Sequence, residues 1–246
     1  MLIIKPFIFH RFREIIFGFS TKFAHNTKPP YFFNLSYNVG EEKEIVEINR
    51  KLFFNELGLN DEMVSYPKQI HEDCIREVNS YGNCGESDAL ITTKKNLALA
   101  ISSADCPAIF IYDSKQQIIA AVHSGWRGTE KKILRKTIIR LKNDFHSDAS
   151  DLVCYIGPSI SQQNYEVNEE VAQKFEKEFV MKKKNKFYLD LAGANYKMLI
   201  DESVKKVNIQ VSALCSYEYV NLLHSYRRDG NKSGRSLGII AMKDYE

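Results

Sequence analysis

The chain has 246 residues and sets 34 Lys+Arg against 31 Asp+Glu, a formal net charge of +3. That balance is too mild to argue for nucleic acid or an anionic membrane and leaves a small molecule as the natural partner. With 44% hydrophobic residues the chain can bury a sizeable core, and its length suits a single domain over 1–246 of layered α/β type.

The stretch from Met1 to Ser20 is apolar only in patches. Lys5, Arg11, Arg13 and Glu14 interrupt it and no small-residue cleavage site follows, so it reads as neither signal peptide nor membrane span. Five cysteines, at 74, 84, 106, 154 and 215, are odd in number and form no CxxC pair. They point to a reducing cytoplasm, not to a disulfide framework. No repeat, low-complexity stretch or linker divides the chain.

In chain order, Ile45, Ile48, Leu52, Phe53 and Leu57 give Glu41–Leu57 a helical period, with Gly58 as its C′ stop. Strands are expected near Cys74–Val78, Ala89–Thr92 and Leu97–Ile101. Pro107–Tyr112 and Ile118–Val122 flank Asp113-Ser114-Lys115-Gln116 and read as an antiparallel hairpin. A helix follows, with Ile133, Leu134, Thr137, Ile138 and Leu141 on one stripe. Beyond it come a strand at Leu152–Ile156, a helix at Glu169–Phe179 and a solvated lysine-rich loop at Met181–Lys186. A helix at Leu191–Val204 capped by Asp190 precedes strands at Gln210–Ala213 and Leu237–Ala241. Short turns as well as helices join the strands, so the class is α+β with antiparallel or mixed sheets. There is no GxGxxG and no Walker loop.

The hairpin carries the first chemical signal. A turn centred between Ser114 and Lys115 pairs Asp113 with Gln116, Ile111 with Ile118 and Cys106 with His123. Directly opposed side chains have Cβ atoms about 4.5–5.5 Å apart. That separation suits two ligands of one metal, or a thiolate and its base. A sulfur beside an imidazole needs one or two more ligands to hold Zn²⁺ with an open position, and His71 is the third candidate. Alone, Cys106 reads as a buried core thiol, and His71 as a surface or hydrogen-bonded histidine. Ala104-Asp105-Cys106-Pro107, however, places a carboxylate and a proline around the thiol at a strand border. His123 leads into Ser124-Gly125-Trp126-Arg127-Gly128-Thr129, a strand-to-helix turn that can present amides to an anion or merely turn the chain. Of the other histidines, His10, His25 and His146 lack comparable surroundings. His224 lies beside Ser225-Tyr226-Arg227-Arg228.

Six motifs then stand in one order: Gln69-Ile70-His71; Ser87-Asp88-Ala89-Leu90-Ile91-Thr92; Ala104-Asp105-Cys106; His123-Ser124-Gly125-Trp126-Arg127-Gly128; Ile156-Gly157-Pro158-Ser159-Ile160 with Tyr165-Glu166-Val167; and Ser225-Tyr226-Arg227-Arg228 through Gly234-Arg235. Over most of its length the chain resembles the YfiH-like, or laccase-domain, family. Members are described as purine nucleoside phosphorylases with adenosine deaminase side activity, as polyphenol oxidases and as peptidoglycan editing factors. The resemblance implies an α-β-β-α layered sandwich related to toxin-type cysteine hydrolases, and a zinc site made by His71, Cys106 and His123. Glu72 departs from the glycine expected after the motif histidine and bears on the loop's shape.

Elementary chemistry ranks these descriptions. Multicopper oxidation needs several coppers held largely by imidazoles, frequently in His-x-His pairs, which six scattered histidines do not readily supply. Copper could still occupy a Cys/His₂ site. Three-ligand zinc with an open position lowers the pKa of bound water to about 7, which makes hydrolytic deamination accessible. The H-x-E and P-C-x-x-C deaminase signature is absent, and Asp88 or Asp105 is the candidate proton relay. Phosphorolysis calls for arginine near the metal, with Arg127, Arg228 and Arg235 as candidates. The leading expectation is a zinc-dependent purine nucleoside phosphorylase acting on adenosine, inosine and methylthioadenosine, with adenosine deaminase side activity. One alternative is an amide hydrolase in peptidoglycan-precursor editing, with Cys106 as nucleophile and His123 as base. Others are a laccase-like polyphenol oxidase and a non-enzymatic module whose zinc is closed by a fourth ligand such as Cys74.

Overall fold

The computed structural model describes residues 1–24 and 27–244; His25 lies outside the described residues. In chain order the elements are β1 (Ile3–Ile4), β2 (Ile15–Ser20), α1 (Lys43–Glu56), β3 (Val64–Lys68), β4 (Ile75–Glu77), β5 (Gly82–Glu86), β6 (Ala89–Thr92), β7 (Ala98–Ser103), β8 (Ala108–Asp113) and β9 (Ile118–His123). They continue with α2 (Trp126–Glu130), α3 (Ile133–Phe145), β10 (Leu152–Ile156), β11 (Glu166–Val167), α4 (Glu169–Ala172), β12 (Val180–Lys183), β13 (Lys186–Leu189), α5 (Leu191–Asp201), β14 (Ile209–Val211), α6 (Tyr226–Asp229) and β15 (Ser236–Met242).

Two six-stranded sheets form the centre, in the orders β1-β2-β15-β7-β3-β5 and β14-β10-β8-β9-β6-β4. Both are mixed: β3 runs parallel to β7 and β5, and β10 to β14, while most other neighbours are antiparallel. The sheets face each other across an aromatic core in which Phe17, Phe19, Leu99 and Ile101 meet Phe110, Tyr112, Val153 and Tyr155. Edge-on contacts of Phe17 with Phe110 and Tyr155 lock the faces together. The outer face of the second sheet packs on α3 and α5 through Ile109, Ile111, Leu134, Ile138 and Leu199. The first sheet's outer face packs on α1 through Phe53, Phe54 and Leu57. The layers therefore run α-β-β-α with mixed sheets, as the sequence led us to expect. Such burial of alternate faces on both sheets explains why the central strands read as unbroken apolar runs.

Four local expectations need correcting. In the β8–β9 hairpin His123 pairs with Ala108 and Asp113 with Ile118, so Cys106 lies two residues before the partner of His123. The loop holds four residues, not two, because Asp113 Oδ1 accepts from the Lys115 and Gln116 amides and Gln117 turns the chain at φ 53°. A shift of two keeps each side chain on its original face. In α1 the inward stripe is Val46, Asn49, Arg50 and Phe53, while Ile45, Ile48 and Leu52 face outward; the apolar residues form two stripes and packing chose the one continuous with the aromatics. Helix α4 ends at Ala172, four residues in, and Ala172 is its one buried residue, so little apolar surface holds a longer helix. The lysine run is a hairpin: β12 pairs with β13, and Lys184 turns at φ 55°.

Candidate metal centre and cavity

His71, Cys106 and His123 come from three separate loops and strand ends, yet their ligand atoms all lie within 4.8 Å of one another. The two imidazoles meet edge to face with centroids 4.8 Å apart. His123 ends β9 and is buried; Cys106 is half-buried and His71 exposed, so the group opens to solvent on one side.

His71 sits at φ 60°, a left-handed conformation unfavourable for a residue with a Cβ. Three hydrogen bonds hold it there: the Ile70 and Glu72 amides donate to Asp88 Oδ2 and the His71 amide to Oδ1. Gln69 anchors the same loop to β7, its amide exchanging both hydrogen bonds with the Ser102 backbone at 2.8 and 2.9 Å. Glu72 keeps an ordinary negative φ and pairs with Lys131, so the departure from glycine there costs no backbone strain.

Asp88 is fully buried and its Oδ1 also accepts from His123 Nδ1 at 2.8 Å. A carboxylate on Nδ1 fixes the proton there and turns Nε2 toward the cluster. Burial pushes the Asp88 carboxyl up, but His123 and the backbone donors outweigh it and hold it below the usual range. Burial also pushes the Cys106 thiol up, yet hydrogen bonding and charge from His123 and then His71 pull it down to about 6. His123 rises to about 9, because Asp88 and Cys106 together outweigh its desolvation. The cluster thus favours thiolate, the form that ligates metal.

Asp105 precedes the thiol at φ 94°. Its carboxylate accepts from Ser216 Oγ and the Arg227 amide, both at 2.6 Å, and its carbonyl accepts from the Ile160 amide. Each aspartate, named as a candidate proton relay, spends both carboxylate oxygens on hydrogen bonds. Both position other residues: Asp88 the two histidines, Asp105 the thiol loop. The Ile156–Ile160 motif acts likewise, with the Gly157 amide donating to the Ala108 carbonyl, where a Cβ would stand 3.1 Å from that oxygen.

Gly125 was expected to make a turn or present an amide. Its φ is ordinary, −65°, and what it supplies is room: a Cβ there would lie 2.9 Å from Cys106 Sγ. Behind it, Ser124 Oγ donates to Asn195 Oδ1 at 2.8 Å, tying the turn to α5. No sequence pattern announced Asn195, which sits 71 residues away.

The three candidate arginines part company. Arg235 lines a cavity of about 710 Å³ together with His71, Cys106 and His123. One of its nitrogens is spent on the Ser233 and Gly234 carbonyls, and the guanidinium stacks 5.2 Å from the Tyr226 ring. Arg228 donates to the Ser216, Tyr217 and Leu223 carbonyls and pairs with Asp229, which makes it a loop clamp. Arg127 is exposed and lies over Trp126 at 4.3 Å, outside the cavity lining. Cys74 donates to the Glu86 carbonyl and does not join the ligand cluster.

Residues 16–243 match the family model described as multi-copper polyphenol oxidoreductase laccase. The chain belongs to this laccase family. A relative from Clostridium acetobutylicum named purine nucleoside phosphorylase is 38% identical over 85% of this chain and 88% of its own. Another of that name, from Bacteroides thetaiotaomicron, is 34% identical over 86% of this chain and 85% of its own. Among solved structures, the Bacillus licheniformis hypothetical protein YfiH superposes with a TM-score of 0.90 at 27% identity, covering 93% of each chain. YlmD from Geobacillus stearothermophilus gives 0.90 at 26% identity over 95% of this chain and 93% of its own. Among the described residues of this laccase-family chain, His71, Cys106 and His123 form the one group of three or more potential ligands. Several coppers would need more imidazole than that.

Among the described residues no helix is long and apolar enough to cross a membrane.

Proposed function

We propose that the chain is a zinc-dependent purine nucleoside phosphorylase acting on adenosine, inosine and methylthioadenosine, with weaker adenosine deaminase activity. The observation that carries this reading is the junction of one thiolate and two imidazoles with a cavity of nucleoside size that also admits Arg235. The names of the two relatives support the same choice. A soft sulfur with two nitrogens and, among the described residues, no fourth protein ligand suits zinc with an open position. Zinc bound there would supply Lewis acidity toward an oxygen of phosphate or water.

The residues divide the remaining work. Asp88 holds the His123 tautomer and the His71 loop, so both ligands are set before substrate arrives. Tyr226 offers an aromatic ring to a purine along the cavity. The unspent N–H groups of Arg235 steer a phosphate oxygen toward the anomeric carbon. As the bond from that oxygen to carbon forms, the bond from carbon to the purine nitrogen breaks, and the purine leaves with the electron pair and takes up a proton. We infer a cytoplasmic setting, supported by five cysteines that are all free thiols.

One observation favours a second reading. The depressed Cys106 thiol beside a raised His123 is also the pair a cysteine amide hydrolase needs, consistent with a relation to cysteine hydrolases and a peptidoglycan precursor as substrate. The test measures bound metal on fresh protein and then follows inosine plus phosphate for the wild type and Cys106→Ala. Stoichiometric zinc and hypoxanthine formed only by the wild type support the phosphorylase. Metal-free protein that makes no hypoxanthine but loses an amidase activity on thiol alkylation supports the hydrolase.

A further inference from the structure

Arg50 is a buried cation with no ion pair among the described residues, although Asp61 lies within electrostatic reach of it. Only 4% of it is exposed, yet among the described residues no carboxylate pairs with it, and its one hydrogen bond is a long one of 3.3 Å to the Leu35 carbonyl. Its guanidinium lies 4.3 Å from the Tyr66 ring, 4.9 Å from Tyr37 and 5.4 Å from Phe54. A guanidinium has five N–H donors and stays charged, so burying one with most donors unspent is costly. Cation–π contact offsets part of that cost. The unpaired nitrogens are not sealed in the core; Arg50 lines both the 710 Å³ cavity and an adjoining one of about 350 Å³.

Its place along the cavity follows from strand register. Val64 pairs with Ala98 and Ser65 with Leu99, which puts Tyr66 level with Ala100. Ala100, Ser102 and then Cys106 line the same cavity. Arg50 and the thiol thus line one space from separate segments of its wall. Arg235 already serves the thiol end. A second cation in the same space matches a ligand that carries negative charge.

We propose that Arg50 is an oxyanion anchor whose guanidinium, stacked on Tyr37 and Tyr66, binds a phosphate group of the cavity's ligand. The phosphate comes either as inorganic phosphate or as an ester on the nucleoside. The inference rests on the phosphorylase reading only for the class of ligand. Binding can be measured without turnover, so loss of the activity and loss of the anchor are distinguishable.

Calorimetric titration of the wild type, Arg50→Met and Arg50→Lys with inorganic phosphate and with adenosine monophosphate tests it. A charge-assisted, forked contact predicts about 10- to 100-fold weaker binding in both variants, with binding of uncharged adenosine changed less than about 3-fold. Loss confined to the monophosphate assigns an ester; loss for inorganic phosphate assigns the free anion. Equal binding in all three proteins, or no saturable binding of either anion by the wild type, overturns the proposal. Should neither variant fold, wild-type crystals grown with each anion decide: phosphate density at the Arg50 guanidinium supports the anchor, and its absence there overturns it.

Discussion

Asp88 and His123 meet at 2.8 Å, and the same carboxylate oxygen accepts the His71 amide at 3.0 Å. One buried acid therefore sets both imidazoles. Asp88→Asn keeps the shape but loses the charge and one acceptor, so metal affinity should fall about 10- to 100-fold. Competition with a chelating dye measures it. Unchanged affinity would mean that the charge of the carboxylate is not what orients the ligands.

Gly125→Ala places a methyl 2.9 Å from Cys106 Sγ. The sulfur must move, because Gly125 itself is tied through Ser124 to α5. Metal content should drop by at least about half while thermal stability falls by about 1–3 kcal/mol, the range for overpacking. Metal analysis beside a melting curve separates this from general unfolding, which would abolish the cooperative melting transition along with the metal.

Arg228 and Arg235 stand seven residues apart and look alike in sequence, but only Arg235 reaches the cavity. Arg228→Ala leaves three carbonyls without their donor and should cost about 2–4 kcal/mol. The KM for phosphate should stay within about 2-fold of wild type, whereas Arg235→Ala should raise it about 10-fold or more with little change in stability. Steady-state kinetics and urea denaturation on the two variants give the four numbers needed.

Turns and helices joining apolar strands made the α+β class with mixed sheets legible, whereas the layer order was implied by the family resemblance; Cys106 and His123 were brought together because a two-residue register error preserves the side of the sheet. The sequence could not reveal the hairpin loop, whose length depends on Asp113 capping two amides and Gln117 accepting a positive φ. The partners of Asp88 and Asp105 were hidden for a related reason. A carboxylate in a motif shows its chemistry in sequence but not its partners, and here backbone amides from distant segments claim both. Arg50 was invisible for the opposite reason, sitting inside an amphipathic helix where a cation normally marks the solvent face.

His224 carries a prediction about pH. The ring is 1% exposed; Nε2 bonds to the Phe33 carbonyl, and Nδ1 has no partner. Burial pulls its pKa from 6.5 down to about 3, the nearby Lys22 and Arg235 charges adding to the effect. The folded value lies below the unfolded one, so between about pH 3 and 6.5 the unfolded chain binds the extra proton. Stability contributed by the neutral ring is complete above about pH 6.5 and is lost as pH falls toward 3, by up to about 1.4 kcal/mol per pH unit. His224→Gln removes this titration while keeping a donor toward Phe33. Urea unfolding at pH 7 and pH 4.5 should show the wild type losing about 2–3 kcal/mol more than the variant over that interval. Parallel loss in the two proteins would show that carboxylates alone set the acid limit and that His224 can take its proton without unfolding the chain.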